Sequence, residues 1–115
     1  MSSILKDVKK HLGIEEDYTH FDPDIIDHIN SVFNILYQLG GKNFSIEDNT
    51  ESWDCYEPDL NKIKMIKSYF YTKVRLLFDP PLNGTLIQLL QEQCKEFECR
   101  FSYQVDPGEE EIQNE

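Results

Sequence analysis

Two adjacent prolines, Pro80 and Pro81, constrain the fold of this chain more than any other feature of its sequence. A proline has no backbone N–H to donate within a helix, and the residue before it avoids the α conformation. The helical pattern that leads up to the pair should therefore end at Phe78 or Asp79. Because a new helical pattern starts a few residues later, we expect a sharp corner between two helices that pack as an antiparallel pair.

Apolar residues recur at helical spacing on both sides of this corner. The helix before it, the third of the chain, is predicted to begin at Glu57-Pro58, and the fourth helix is predicted to be capped by Asn83 or Thr85. One face of the third helix comprises Leu60, Ile63, Ile66, Phe70, Val74 and Leu77. The corresponding stripe of the fourth helix comprises Leu86, Leu89, Leu90, Gln93, Phe97 and Phe101.

The third helix has a second apolar stripe, formed by Met65, Tyr69 and Leu76, well round the helix from the first. A polar strip separates the two stripes and comprises Asn61, Lys64, Ser68, Thr72 and Arg75. A helix with two apolar faces either lies at the centre of a bundle or contacts a second chain. Both interpretations stay open at the level of the sequence.

The first helix is predicted to run from Ile4 to Leu12, since Ile4, Val8 and Leu12 recur on one face. Ser2 or Ser3 can cap its start. A glycine follows its end and can adopt the left-handed conformation that stops a helix, and the isoleucine after that glycine could fold back on the last turn.

The second helix begins with Asp22 as the expected N-cap and Pro23 in the first helical position, and Gly40-Gly41 ends it. Its apolar stripe comprises Ile25, Ile29, Val32, Phe33, Leu36 and Leu39. Residues 42–56 show no sustained period, which predicts an ordered loop with a short strand or a helical turn. The apolar anchors of this loop are Phe44, Ile46, Trp53 and Tyr56.

These elements predict an all-α fold of 115 residues: a small domain resembling a four-helix bundle, with an irregular loop between helices two and three. The helical pattern fades after Tyr103. We therefore divide the chain into a helical domain, residues 1–103, and an acidic C-terminal tail, residues 104–115, which we expect to be flexible.

The chain has 22 acidic and 11 basic residues and a net charge of −11. Such an excess argues against general nucleic-acid binding, which requires cationic side chains. No apolar run approaches the roughly 20 residues that span a bilayer, and the N-terminus lacks the features of a secretion signal.

Five of the 11 basic residues lie on the third helix: Lys62, Lys64, Lys67, Lys73 and Arg75. They could form a solvated face with pairs inside the helix. They could also form a basic surface that meets an acidic surface of another copy, a head-to-tail contact that can close into a ring.

No residue pattern indicates an active site, a cofactor site or a metal site. The histidines, His11, His20 and His28, are scattered, and the cysteines lack the CxxC spacing of a metal or redox motif. Cys94 is expected to pack as a small apolar residue. An enzyme that uses Cys94 or Cys99 is the least favoured alternative.

Four segments resemble the head–tail connector proteins of long-tailed bacteriophages, also called head-completion or adaptor proteins. They are IIDHINSVFNILYQLG (residues 25–40), FSIED (44–48), YFYTKVRLLFDPP (69–81) and KEFECRF (95–101). The resemblance spans residues 2–103 in the same order, and the corner with Asp79, Pro80 and Pro81 is its most specific part.

The resemblance implies a structural, non-catalytic virion protein without cofactors. About a dozen copies would form a ring under the portal protein at one capsid vertex. The ring would complete the head, let DNA pass without specific binding, and present a platform to a stopper or tail protein. It would be assembled in the host cytoplasm and end in the neck of the virion.

Within that frame we expect two contact regions. The subunit contact would use Lys64, Met65, Tyr69, Arg75 and Leu76. Docking to the portal would use Gln104, Val105, Asp106 and Ile112 of the tail. The alternative function is a small acidic regulatory protein, an antitoxin or DNA-mimic inhibitor, that binds a basic protein partner.

Overall fold

In the computed structural model, which describes residues 2–105, all regular secondary structure is helical apart from one isolated bridge between Ser3 and Ser52. The helices are α1 (Ile4–His11), α2 (Asp22–Gln38), α3 (Trp53–Tyr56), α4 (Leu60–Phe78) and α5 (Gly84–Val105). The prediction of an all-α domain with four main helices is confirmed. The helical turn expected in the irregular loop is the four-residue α3.

Helix α4 is the centre of the domain, since it packs against α1, α2 and α5. Its residues Phe70 and Val74 are fully buried, and the Phe70 ring meets the buried face of α2, 4.5 Å from the Phe33 ring between centroids. All five predicted stripe residues of α2 from Ile25 to Leu36 are fully buried. The periodicity of α2 therefore predicted correctly which of its faces enters the core.

The structure confirms the serine cap predicted for the start of α1 and the glycine stop predicted after its end. The backbone N–H of Lys6 donates to the Ser3 side chain, so Ser3 rather than Ser2 is the cap. Gly13 has a φ of +79°, and the N–H of Ile14 donates to the carbonyl of Lys9 at 2.9 Å. This is the fold-back of Ile14 expected from the sequence. The helix ends at His11, one residue before the predicted Leu12.

The predicted N-cap of α2 is wrong by one residue. Phe21 occupies the cap position without a side-chain hydrogen bond, and Asp22 is the first helical residue. The Asp22 carboxylate lies 2.9 Å from the ammonium of Lys9, an ion pair rather than an aligned hydrogen bond. The competing ion pair with α1 explains why this aspartate does not cap its own helix.

The loop between α2 and α4 is held by the anchors that its sequence predicted. Ile46, Trp53 and Tyr56 are buried, and Phe44 is half-buried against them. The side chain of Asn30 on α2 both donates to the Ile46 carbonyl, at 3.0 Å, and accepts from its N–H, at 2.8 Å. One helix side chain thus satisfies both backbone groups of the buried Ile46.

The corner between α4 and α5 forms as predicted. Helix α4 ends at Phe78, and Asp79 leaves the helical conformation. Asn83 caps α5, because its side-chain oxygen accepts from the N–H groups of Thr85 and Leu86 at 2.9 and 3.2 Å. Helix α5 extends to Val105, two residues beyond the predicted boundary of the helical domain.

The predicted apolar stripes of α4 and α5 are wrong at their ends. Leu60, Leu77, Leu86 and Leu89 are exposed, and so is Gln93 in the middle of α5, whereas the other stripe residues are buried or half-buried. Helical spacing indicates a face of a helix, and it does not indicate where the neighbouring helix stops. The exposed leucines lie at the first and last turns of α4 and in the first two turns of α5.

Candidate subunit-contact surface

The polar strip of α4 lies on the surface of the domain. Asn61, Lys64, Ser68 and Arg75 are exposed. Arg75 follows Lys64 by eleven residues, a rise of about 16 Å and close to three full turns, so the two cations lie on nearly the same side of the helix. The strip is therefore a straight row with one positive charge near its start and one at its end.

The second apolar stripe of α4 is divided between the core and the surface. Tyr69 is buried, and its ring stacks on Phe97 of α5 with 4.5 Å between centroids. Leu76 is half-buried against the core, whereas Met65 is 45% exposed. The central position of α4 in the domain accounts for the burial of Tyr69 and Leu76. Met65 is the member of the stripe that remains exposed to a second chain.

A polar network fixes α5 on α4 beside this stripe. The Tyr69 hydroxyl donates to a carboxylate oxygen of Glu98 at 2.6 Å, and the Lys73 ammonium lies 3.4 Å from the same oxygen. Burial, together with the hydrogen bond to Glu98, raises the pKa of Tyr69. The phenol therefore stays protonated and remains a donor at physiological pH.

The five cations of α4 fall into two groups. Lys73 pairs with Glu98, and Lys67 lies 4.0 Å from the Asp7 carboxylate and 5.7 Å from the centre of the Trp53 ring. The remaining three, Lys62, Lys64 and Arg75, are exposed and form no ion pair with any residue in the range 2–105. Two cations thus stabilise the domain, and three are left on its surface.

The corner residues Asp79 and Pro80 are exposed, and Pro81 is half-buried. Exposed leucines flank them in the sequence, and we call these the corner patch. It comprises Leu77, Leu82, Leu86 and Leu89. Three of these were predicted to lie on packed helix faces, and no prediction covered Leu82, which is fully exposed. Its position directly after two prolines, on no helix, was the signal that this leucine does not pack against the residues that the structure describes.

The predicted portal-docking residues lie at the edge of the described structure or beyond it. Gln104 and Val105 complete the last turn of α5. Asp106 and Ile112 lie outside the described residues.

The three cysteines differ in burial. Cys94 is buried, as predicted, and burial raises the pKa of its thiol, which makes it a poor nucleophile. Cys55 and Cys99 are exposed. Between residues 2 and 105 no three His, Cys, Asp or Glu side chains lie close enough together to hold a metal ion. In the same range no helix has both the length and the apolar character for a membrane span.

Comparison with known proteins gives one result. The family described as phage connector protein matches residues 4–108, a range that includes all five helices. No curated protein and no solved structure matches the chain. The chain therefore belongs to the phage connector protein family, and with it to the structural proteins of the virion that associate with portal and capsid components.

Proposed function

We propose that this protein is the adaptor subunit of a head–tail connector: a ring of about a dozen copies beneath the portal that completes the head. Family membership carries this proposal. The ring would extend the DNA channel and offer a platform to a stopper or tail protein. A net charge of −11 suits a channel wall, since an acidic surface repels the DNA backbone and discourages adhesion during ejection.

The subunit contact of this ring would use the polar strip of α4 with Met65 at its edge. Its exposed cations need a negatively charged surface on the next copy. Ten exposed carboxylates form no ion pair with residues 2–105, and four of them lie on α2 and the loop before it: Glu15, Asp17, Asp24 and Asp27. Helix α2 packs on α4 through its apolar face, so Asp24 and Asp27 point away from the α4 of their own copy.

A contact between the strip of one copy and α2 of the next would be head-to-tail, the kind that closes into a ring when its rotation permits. Charges placed in this way set register and orientation more than affinity. The exposed leucines of the corner patch supply apolar area that the polar strip lacks. The tail residues Gln104, Val105, Asp106 and Ile112 would dock on the portal, a role that rests on the resemblance alone.

The function is tested by electron microscopy of particles made by a phage that lacks this gene. We expect DNA-filled or leaking heads beside separate, complete tails, because the joining platform would be missing. Normal infectious virions would overturn the proposal. They would favour the alternative, an acidic inhibitor of a basic protein, which a one-to-one complex with such a partner would then demonstrate.

Reversal of charge on the polar strip should weaken ring assembly and leave the fold intact. The variant Lys64→Glu/Arg75→Glu removes two exposed cations that have no pairing role within residues 2–105. Ring formation on portal-bearing heads, followed by electron microscopy, should fall, while the thermal unfolding midpoint stays unchanged. The matched control is Lys10→Glu/Lys95→Glu, which makes the same change in net charge at exposed positions away from the strip.

The acidic side of the contact is tested by combining the strip variant with Asp24→Lys/Asp27→Lys. If α2 is the partner surface, the exchanged charges should restore at least part of the assembly. Undiminished assembly of the strip variant alone would refute the charge contact. If the strip variant loses assembly and the exchanged charges do not restore it, the acidic partner surface lies elsewhere than on α2.

A further inference from the structure

A groove of about 480 Å³ lies between the first half of α4 and the last turns of α5. Its floor is apolar and comprises Tyr56, Met65, Ile66, Phe97 and Phe101. Met65 is 45% exposed there, and the rings of Phe97 and Phe101 are half-buried. Apolar side chains in a concave surface favour an occupant that buries them.

The rim of the groove is basic in a chain that is otherwise acidic. It has three cations, Lys42, Lys62 and Arg100, and one carboxylate, Glu57. Lys62 forms no ion pair with the described residues, and Lys42 donates only to the Tyr56 carbonyl, at 3.0 Å. Arg100 pairs with Glu96 at 2.7 Å, but both side chains are about 60% exposed, so this pair contributes little and can exchange partners.

The chain itself contains a segment of matching chemistry. Residues 106–115 have the sequence DPGEEEIQNE, with five acidic side chains, no cation and one aliphatic side chain, Ile112. The segment begins directly after Val105, one helical turn beyond Phe101, which lines the groove. Pro107-Gly108 is a turn-favouring pair placed where the chain would have to reverse direction.

The segment is long enough to reach the groove. From Val105 back to Phe97 the helix measures about 12 Å, since each residue rises 1.5 Å. After a reversal at Pro107-Gly108, the seven remaining residues span up to about 23 Å when extended. They can therefore run back past Phe97.

We propose that residues 106–115 fold back into the groove of their own copy. Ile112 would cover the apolar floor near Met65 and Phe97, and the carboxylates Glu109–Glu111 would lie against the basic rim. This goes beyond the proposed function, because it concerns the isolated chain. Its consequence rests on the proposed function: the occupied groove hides Met65, so subunit contact would await withdrawal of the tail by another partner.

The experiment places a nitroxide spin label on Gln113→Cys of the full chain, with Cys55→Ser and Cys99→Ser to remove the exposed thiols. Cys94 is buried and stays. The chain has two methionines, so a methyl-labelled sample gives a Met65 signal that Met65→Leu assigns. We expect loss of most of the Met65 signal with the oxidised label, and recovery when the nitroxide is reduced.

A pair of charge variants tests whether the basic rim holds the tail. Lys62→Glu/Arg100→Glu on the rim should restore the Met65 signal. Lys10→Glu/Lys95→Glu makes the same change in net charge at two exposed positions that do not line the groove, and it should leave the signal suppressed.

A mixture of two samples tests whether the tail belongs to the same copy. One sample carries the spin label without the methyl label, and the other carries the methyl label without the spin label. Signal loss in that mixture would mean docking between copies and would overturn the proposal. An unaffected Met65 signal in the doubly labelled chain would overturn it as well.

Discussion

Replacement of Lys9 by methionine should lower the free energy of unfolding by about 3 kcal/mol, because it removes one partner of a buried ion pair. Lys9 is only 2% exposed, and its ammonium lies 2.9 Å from the Glu16 carbonyl, 2.8 Å from the Tyr18 carbonyl and 2.9 Å from the Asp22 carboxylate. Methionine retains the apolar stem of the lysine and leaves these three acceptors without a donor.

The expected loss lies at the low end for a broken buried pair, because the Asp22 side chain is 22% exposed and water can partly replace the ammonium. Urea denaturation followed by circular dichroism measures it. Lys10→Met is the matched control, because Lys10 is exposed on the same helix. This variant should change the free energy of unfolding by no more than about 0.5 kcal/mol. Equal effects of the two variants would show that Lys9 has no special structural role.

Truncation of Phe70 to alanine should lower the free energy of unfolding by about 3–5 kcal/mol, the range for a fully buried aromatic side chain. Its ring lies 4.5 Å from that of Phe33 and 5.4 Å from that of Trp53, between centroids, so it joins α2, α3 and α4. Because small domains have a total stability of only about 5–15 kcal/mol, this single change should leave the protein close to unfolding at 37 °C.

Thermal unfolding of Phe70→Ala, followed by circular dichroism, should show a much lower midpoint. Leu82→Ala is its control, since Leu82 is fully exposed and its truncation should change the free energy of unfolding by less than about 0.5 kcal/mol. A small effect of Phe70→Ala would mean that the core around α4 relaxes to fill the space. The double variant Phe33→Ala/Phe70→Ala should then lose less free energy of unfolding than the two single variants lose together, since the two rings are in contact.

Local signals were sufficient to predict most of the fold. The spacing of the α2 stripe, the Ser3 cap and the double proline each act over a few residues, and the structure shows the elements that they predict. Burial of Lys9 could not be predicted in this way. Nothing in the spacing of residues on α1 marks Lys9 for burial. Two of its partners are backbone carbonyls of the polar connection between α1 and α2, and no periodic pattern in the sequence describes the path of that connection.

The same limit applies to the prediction of the candidate subunit-contact surface. The sequence indicated that α4 has two apolar stripes and a basic strip, but it did not separate cations paired inside the chain from those left outside. Lys73 is paired only because α5 places Glu98 next to it, 25 residues later in the chain. Which leucines stay exposed at the corner depends likewise on where the helices end relative to each other, a property of the packed domain.

The attachment of α1 to the loop before α4 also bears on the order in which the chain can fold as it is synthesised. The Ile4 N–H donates to the Glu51 carbonyl at 3.0 Å, and the Trp53 indole N–H donates to Asp7, 46 residues earlier, at 2.8 Å. Helix α1 cannot complete these contacts until Trp53 has left the ribosome, and its apolar face must wait further for α4. Helix α1 is made before the other four helices and is thus among the last of them to be secured.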